Sequence, residues 1–183
     1  MAALSQQIII EFCKLCDWAS QTWLNHRLLF DENPRAAELQ ASHAGDVLAR
    51  LNIISREYAL LQVAKLHDRA IVAGEITLSI EYVVKYGAWS EPLLVKLEAL
   101  ATQLNGFASK LRTVRNKALS HNDVIAILSN TVLGSFAPRE DLAYFASLQE
   151  FANLIHEEVI GGPYPFDDLV LNEVQAFLAC IRP

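Results

Sequence analysis

Apolar residues recur along this chain at three- and four-residue steps almost throughout, the spacing that lines one face of an α-helix. No stretch shows the two-residue alternation with turn punctuation that marks a half-buried strand. The first predicted helix runs from about Ser5 to Phe30 on Ile8, Phe12, Leu15, Ala19 and Trp23. Asp31-Glu32-Asn33-Pro34 ends it and opens the next, with Asn33 as N-cap and Pro34 at the first helical position. A longer helical stretch then reaches about Asp68, interrupted near Gly45, with Val47, Leu51, Ile54, Tyr58 and Leu61 as its buried stripe. A short helix from about Thr77 to Lys85 follows Gly74 and closes at Gly87.

Ser90-Glu91-Pro92 starts the most regular element. Leu93, Leu97, Leu100, Leu104, Phe107, Leu111, Val114 and Ala118 alternate steps of four and three, a heptad seam suited to an antiparallel bundle or a dimer interface. Gly106 within it lowers helix propensity by roughly 1 kcal/mol relative to Ala and leaves room for a close neighbour. Asn122 and Asp123 read as caps of a helix from Val124 to about Asn130. Arg139 to about Val159 is helical again, with Leu142, Phe145, Leu148, Phe151 or Ala152, and Ile155 inward. Gly161-Gly162-Pro163-Tyr164-Pro165 breaks the chain before a last helix, Asp168 to Cys180. The pattern predicts an all-α, up-and-down bundle of about five to seven helices, forming one domain over 1–183.

Composition agrees. A chain of 183 residues supports one domain with a sizeable core, and 52% hydrophobic against 20% charged residues excludes a disordered chain. A mean hydropathy of +0.22 is high for a lone subunit, so part of the apolar surface is expected to be covered in an oligomer. No apolar run approaches the roughly 18 residues of a membrane span. The start, Met1 to Ile10, lacks the basic region of a secretion signal, so the expected location is cytoplasmic. Three cysteines make no disulfide framework. Cys13 and Cys16 form a CxxC with no second pair to complete a zinc site, and read as small core residues.

Net charge is −6, which excludes a protein that coats nucleic acid by electrostatics alone. The distribution changes that picture locally. Between Glu98 and Asp123 there is no acidic residue, and Lys110, Arg112, Arg115 and Lys117 all fall inside this interval. It also holds Arg115-Asn116-Lys117-Ala118-Leu119-Ser120-His121, at the end of the heptad helix. Arginine grips phosphate as a planar, permanent cation, and histidine moves protons near neutral pH. Those two groups are the minimum needed to cleave RNA without a metal, where the 2′-hydroxyl is the nucleophile. The plain structural alternative makes His121 a cap on the last carbonyls of its helix and Arg115 a surface cation.

Other chemistry is sparse. His67-Asp68 and His156-Glu157-Glu158 lack a helical metal spacing, and His26 and His43 stand alone. Trp18, Trp23 and Trp89 read as core or interface anchors. No phosphate loop, Ser-His-Asp arrangement or dinucleotide fingerprint is visible, and no metal or cofactor is expected.

The Arg, polar follower and His at a helix terminus resemble the motif of the HEPN superfamily of helical nucleases, in particular its abortive-infection, AbiU-like branch. The length, the long leading helices, Ala64-Lys65-Leu66-His67-Asp68 at the end of the second, and the short helix around Leu78-Ser79-Ile80 are similar too. The resemblance implies a homodimer whose motifs face one cleft, and metal-independent RNA cleavage leaving a 2′,3′-cyclic phosphate. In that reading Arg115 neutralises the scissile phosphate, His121 is general base or acid, and Asn116 holds the phosphate or orients the histidine. Lys110, Arg112 and Lys117 form the basic rim. The implied role is a toxin or phage-defence effector, with an antitoxin or a nucleotidyltransferase as a possible partner. The alternative is a non-catalytic helical module that binds a partner protein or a nucleotide. A bare oligomerisation bundle is the third reading.

Overall fold

A computed structural model of the chain describes residues 4–114, 137 and 139–181, with side chains outside 112–114. The fold is all-α. Helix α1 spans Gln6–His26, and Ser5 caps it by accepting from the Ile8 amide at 3.3 Å. One π-helical turn, Arg27–Asp31, continues it, closed by Glu32 N–H donating to the Arg27 carbonyl at 2.8 Å. Helix α2 is Ala36–Ala41 and α3 is Gly45–Leu66. Asn33 does not cap α2 as an N-cap residue. Its side-chain oxygen accepts from the Arg35 amide two residues on, so the chain makes an Asx turn and the helix starts later.

After α3 comes an antiparallel hairpin, β1 (Ile71–Val72) and β2 (Glu75–Ile76), with Ile71 opposite Ile76. Strands of two residues are too short to show alternation, which is why the sequence pattern misses them. The turn places Ala73 and Gly74 at φ 51° and 87°, a left-handed pair suited to a tight hairpin. Helix α4 (Ile80–Tyr86) is capped by the Ser79 hydroxyl, which accepts from the Tyr82 amide. Helices α5 (Glu91–Val114), α6 (Glu140–Val159) and α7 (Val170–Cys180) complete the described chain.

Helix α1 packs against α3 and α6, and α5 packs against α6 and α3, closing the bundle. One apolar cluster joins them. Phe12 of α1 meets Phe151 of α6 edge to face at 5.9 Å, and both are fully buried. Leu97, Leu104, Phe107 and Leu111 of the heptad seam are buried inside this same chain, so the seam serves the bundle. Cys13 and Cys16 are core residues, as expected, and desolvation pushes the Cys13 thiol up to about 12. Gly106 has open space beside it among the described residues.

Two stripes run differently from the sequence reading. On α6, Leu142 faces solvent while Asp141 and Tyr144 turn inward. Asp141 is drawn in by polar partners: it accepts from the Trp23 indole at 3.0 Å and pairs with Arg27 at 3.1 Å. On α3, Val47, Leu51, Ile54 and Tyr58 are exposed, and only its C-terminal half, at Ala59, Val63 and Leu66, enters the core. The exposed half of α3 forms one wall of an apolar groove of about 400 Å³, closed by Leu29, Phe30, Leu39 and Phe177. Arg35 fixes the end of α7 beside that groove by donating to the Leu178 and Ile181 carbonyls at 2.8 and 3.1 Å. No helix among the described residues is long and apolar enough to cross a membrane.

Candidate functional site

Arg115, Asn116, Lys117 and His121 lie outside the described residues, as does the side chain of Arg112. The frame on either side of that segment is described. Lys110, near the end of α5, forms an ion pair with Glu140, the first residue of α6. The Lys110 ammonium and the donated Ala137 amide together hold the Glu140 carboxyl below its usual range. Residues 110 and 140 are thereby held together, and Lys110 is already matched by a carboxylate. At the same end of the bundle Asp141 joins Arg27 and Trp23, so three helix termini meet where the Arg115 segment departs and returns.

Beside α5 opens a polar cleft of about 710 Å³. Its walls come from the α3–β1 junction (His67, Asp68, Arg69), α4 (Glu81, Lys85) and α5 (Glu98, Thr102, Asn105, Ser109). The α5 residues stand at steps of four, three and four, one helical face. Behind them lies a chain of hydrogen bonds. Tyr144 is completely buried, and desolvation, with Cys16 nearby, raises its hydroxyl well above the ordinary phenol value. It stays protonated and lies 2.9 Å from His67 Nε2, within hydrogen-bond distance. On the other side of the ring, His67 Nδ1 lies 2.8 Å from Asn105 Oδ1, so the imidazole bridges the two side chains. Asn105 is exposed at the cleft.

The HEPN-family profile for AbiU2 matches residues 5–177. The chain belongs to the AbiU2 family. It is a HEPN-type abortive-infection protein by that membership, and the match spans every helix described above except the last residues of α7. Comparison with curated proteins and with solved structures gave no match.

The AbiU2-family chain brings together two polar groups that sequence spacing hides. One is the Tyr144–His67–Asn105 relay, whose members stand 77 and 38 positions apart. The sequence hint is His67 within the Ala64-Lys65-Leu66-His67-Asp68 segment at the end of α3. The other is His26, whose Nδ1 lies 2.9 Å from Ser55 Oγ and whose Nε2 lies 3.6 Å from Asp31. This trio has hydrolase residue types without hydrolase geometry. The Ser55 hydroxyl donates to the Asn52 carbonyl at 3.1 Å, which leaves it as acceptor of the imidazole N–H, and Asp31 is beyond hydrogen-bond reach. Burial, acting against Asp31, lowers the His26 pKa and keeps the ring neutral at pH 7. His156 is likewise engaged, donating from Nδ1 to the Gly162 carbonyl at 2.8 Å. Among the described residues no group of three or more His, Cys, Asp or Glu is placed to hold a metal.

Proposed function

We propose that this chain is a metal-independent endoribonuclease of a phage-defence or toxin system, working as a homodimer with Arg115 and His121 as its reacting groups. The observation that carries the reading is the Arg115-Asn116 to His121 motif in the acid-free, basic stretch of an otherwise acidic AbiU2-family chain. A neutral imidazole takes the proton of the 2′-hydroxyl as that oxygen attacks the adjacent phosphorus. The phosphorus–5′-oxygen bond breaks, and an imidazolium, supplied by the second subunit, protonates the leaving oxygen. The product is a 2′,3′-cyclic phosphate and a 5′-hydroxyl. Arg115 stabilises the charge that grows on the equatorial oxygens, and Asn116 hydrogen-bonds the phosphate or orients the ring. Arg112 and Lys117 supply backbone contacts, while Lys110 reaches RNA by exchanging Glu140 for a phosphate.

The test is incubation of purified protein with mixed RNAs in EDTA. Cleavage that drops by at least about a hundredfold in both Arg115→Ala and His121→Ala is the expected result. Activity equal to wild type in both variants removes the assignment.

A second reading, a helical module that binds a partner protein such as an antitoxin, is favoured by the exposed apolar face of α3 and its groove. It predicts no cleavage of any RNA by wild type under the same conditions.

A further inference from the structure

We propose that the exposed half of α3 is the face on which two copies of this chain pair, antiparallel across a twofold axis beside Ile54. The proposal rests on the ribonuclease reading for what the dimer is used for, and on α3 for where it forms. Val47, Leu51, Ile54 and Tyr58 are 43 to 59% exposed and stand at steps of four, three and four. That is the spacing of a two-helix seam, and no helix among the described residues covers it. Trp18 of α1 extends the stripe: its side chain is half open, and its indole donates to the Tyr58 hydroxyl at 3.2 Å. Large side chains offer roughly 200 Å² each when fully open, so these five leave roughly 500 Å² per subunit. Two copies thus bury about 1,000 Å², the threshold of a specific interface, before the stems of flanking side chains are counted.

The flanks of the stripe select the partner and its direction. Arg50 and Glu57 stand seven residues apart on one flank, Leu48 and Ser55 on the other. Arg50 and Glu57 are exposed, and neither pairs with an opposite charge among the described residues. A twofold axis exchanges them. With Leu51 of one copy against Ile54 of the other, and Val47 against Tyr58, Arg50 of each helix comes beside Glu57 of its partner. Two opposite-charge pairs form at once, whereas a parallel pairing sets Arg50 against the uncharged Ser55. The stripe is its own complement, which is what a second copy requires. The axis also lies at the relevant end of the bundle. Ser55 stands against His26 and Tyr58 against Trp18, so α1 and α3 are antiparallel and Ile54 is level with the end of α1. There Arg27 pairs with Asp141, next to the Glu140 that holds Lys110. Pairing on α3 therefore sets the two bundle ends from which the chain runs on to Arg115 on either side of one axis.

The experiment is sedimentation equilibrium of the full chain at low salt, with circular dichroism to confirm that each variant keeps its helices. Wild type is expected at twice the 20.4 kDa of one chain. Arg50→Glu and Glu57→Arg each set like charges across the axis twice, so each should weaken dimerisation on the order of tenfold. The double variant, which exchanges the two charges, should restore it. Ile54→Asp, which faces two carboxylates across the axis, should weaken it on the order of a hundredfold. A monomeric wild type, single reversals that leave the dimer unchanged, or a double variant that stays dissociated overturns the proposal. A dimer that ignores all four variants while RNA cleavage needs Arg115 and His121 ends the α3 interface and leaves the nuclease. A dimer lost in the single reversals and regained in the double, in a protein that cuts nothing, does the reverse.

Discussion

Asp141 ties the start of α6 to α1 through Arg27 and the Trp23 indole. Its side chain is 8% exposed and that of its partner Arg27 17%, so Asp141→Ala leaves a guanidinium largely out of water with one partner gone. Breaking a buried pair in this way destabilises by about 3–5 kcal/mol. Arg27 keeps Glu32, which is half exposed and screened, so the loss belongs near the lower limit, ~3 kcal/mol, including the acceptor removed from the Trp23 indole. For a chain of this size that lowers Tm by roughly 6–12 °C. Urea titration followed by far-ultraviolet circular dichroism measures it. The decisive measurement adds Arg27→Met. If the damage comes from a stranded cation, the double variant recovers at least about 1 kcal/mol relative to the sum of the single ones. A loss below about 1 kcal/mol for Asp141→Ala, or strict additivity, would refute this account of the junction.

Two further outcomes are expected. Because burial holds the folded pKa of His26 below 6.5, the unfolded chain takes up its proton first. Stability from this residue is full above about pH 6.5 and declines as pH falls further. Thermal denaturation from about pH 7.5 to 5.5 should show a shallower fall in His26→Gln than in wild type, and matched slopes would contradict it. Ala73 carries a side chain at φ 51° on the exposed hairpin, and Ala73→Asn, which builds an Asn-Gly turn, should raise stability by about 0.5 kcal/mol in the same assay. No gain would place the turn's strain elsewhere.

The helices were legible wherever an apolar stripe is covered by its own chain. The Leu93 to Leu111 seam and the Leu148, Phe151, Ile155 run are read correctly because periodicity and burial coincide there. Periodicity does not say what covers a stripe. Val47, Leu51, Ile54 and Tyr58 are as regular as any, yet they look outward, and α3 enters the core on a different register from Ala59 onward. Leu142 was misplaced by a competing interaction, since Asp141 turns in to meet Arg27 and Trp23. The Arg115–His121 motif is a local signal and was visible as such, whereas its described frame is not local. Glu140 meets Lys110 from 30 positions away, and Asn105 owes its orientation to Tyr144, with which it shares no sequence relation.

The thiols offer a different kind of access. Cys13 and Cys16 sit at zero exposure, with burial raising the Cys16 thiol well above its ordinary value, whereas Cys180 stands in solvent between Leu178 and Ile181 on the rim of the α3 groove. Nature has therefore left one addressable sulfur. A maleimide dye or a spin label attached there needs no engineered background, and it reports on whatever settles against that rim while the interior stays untouched.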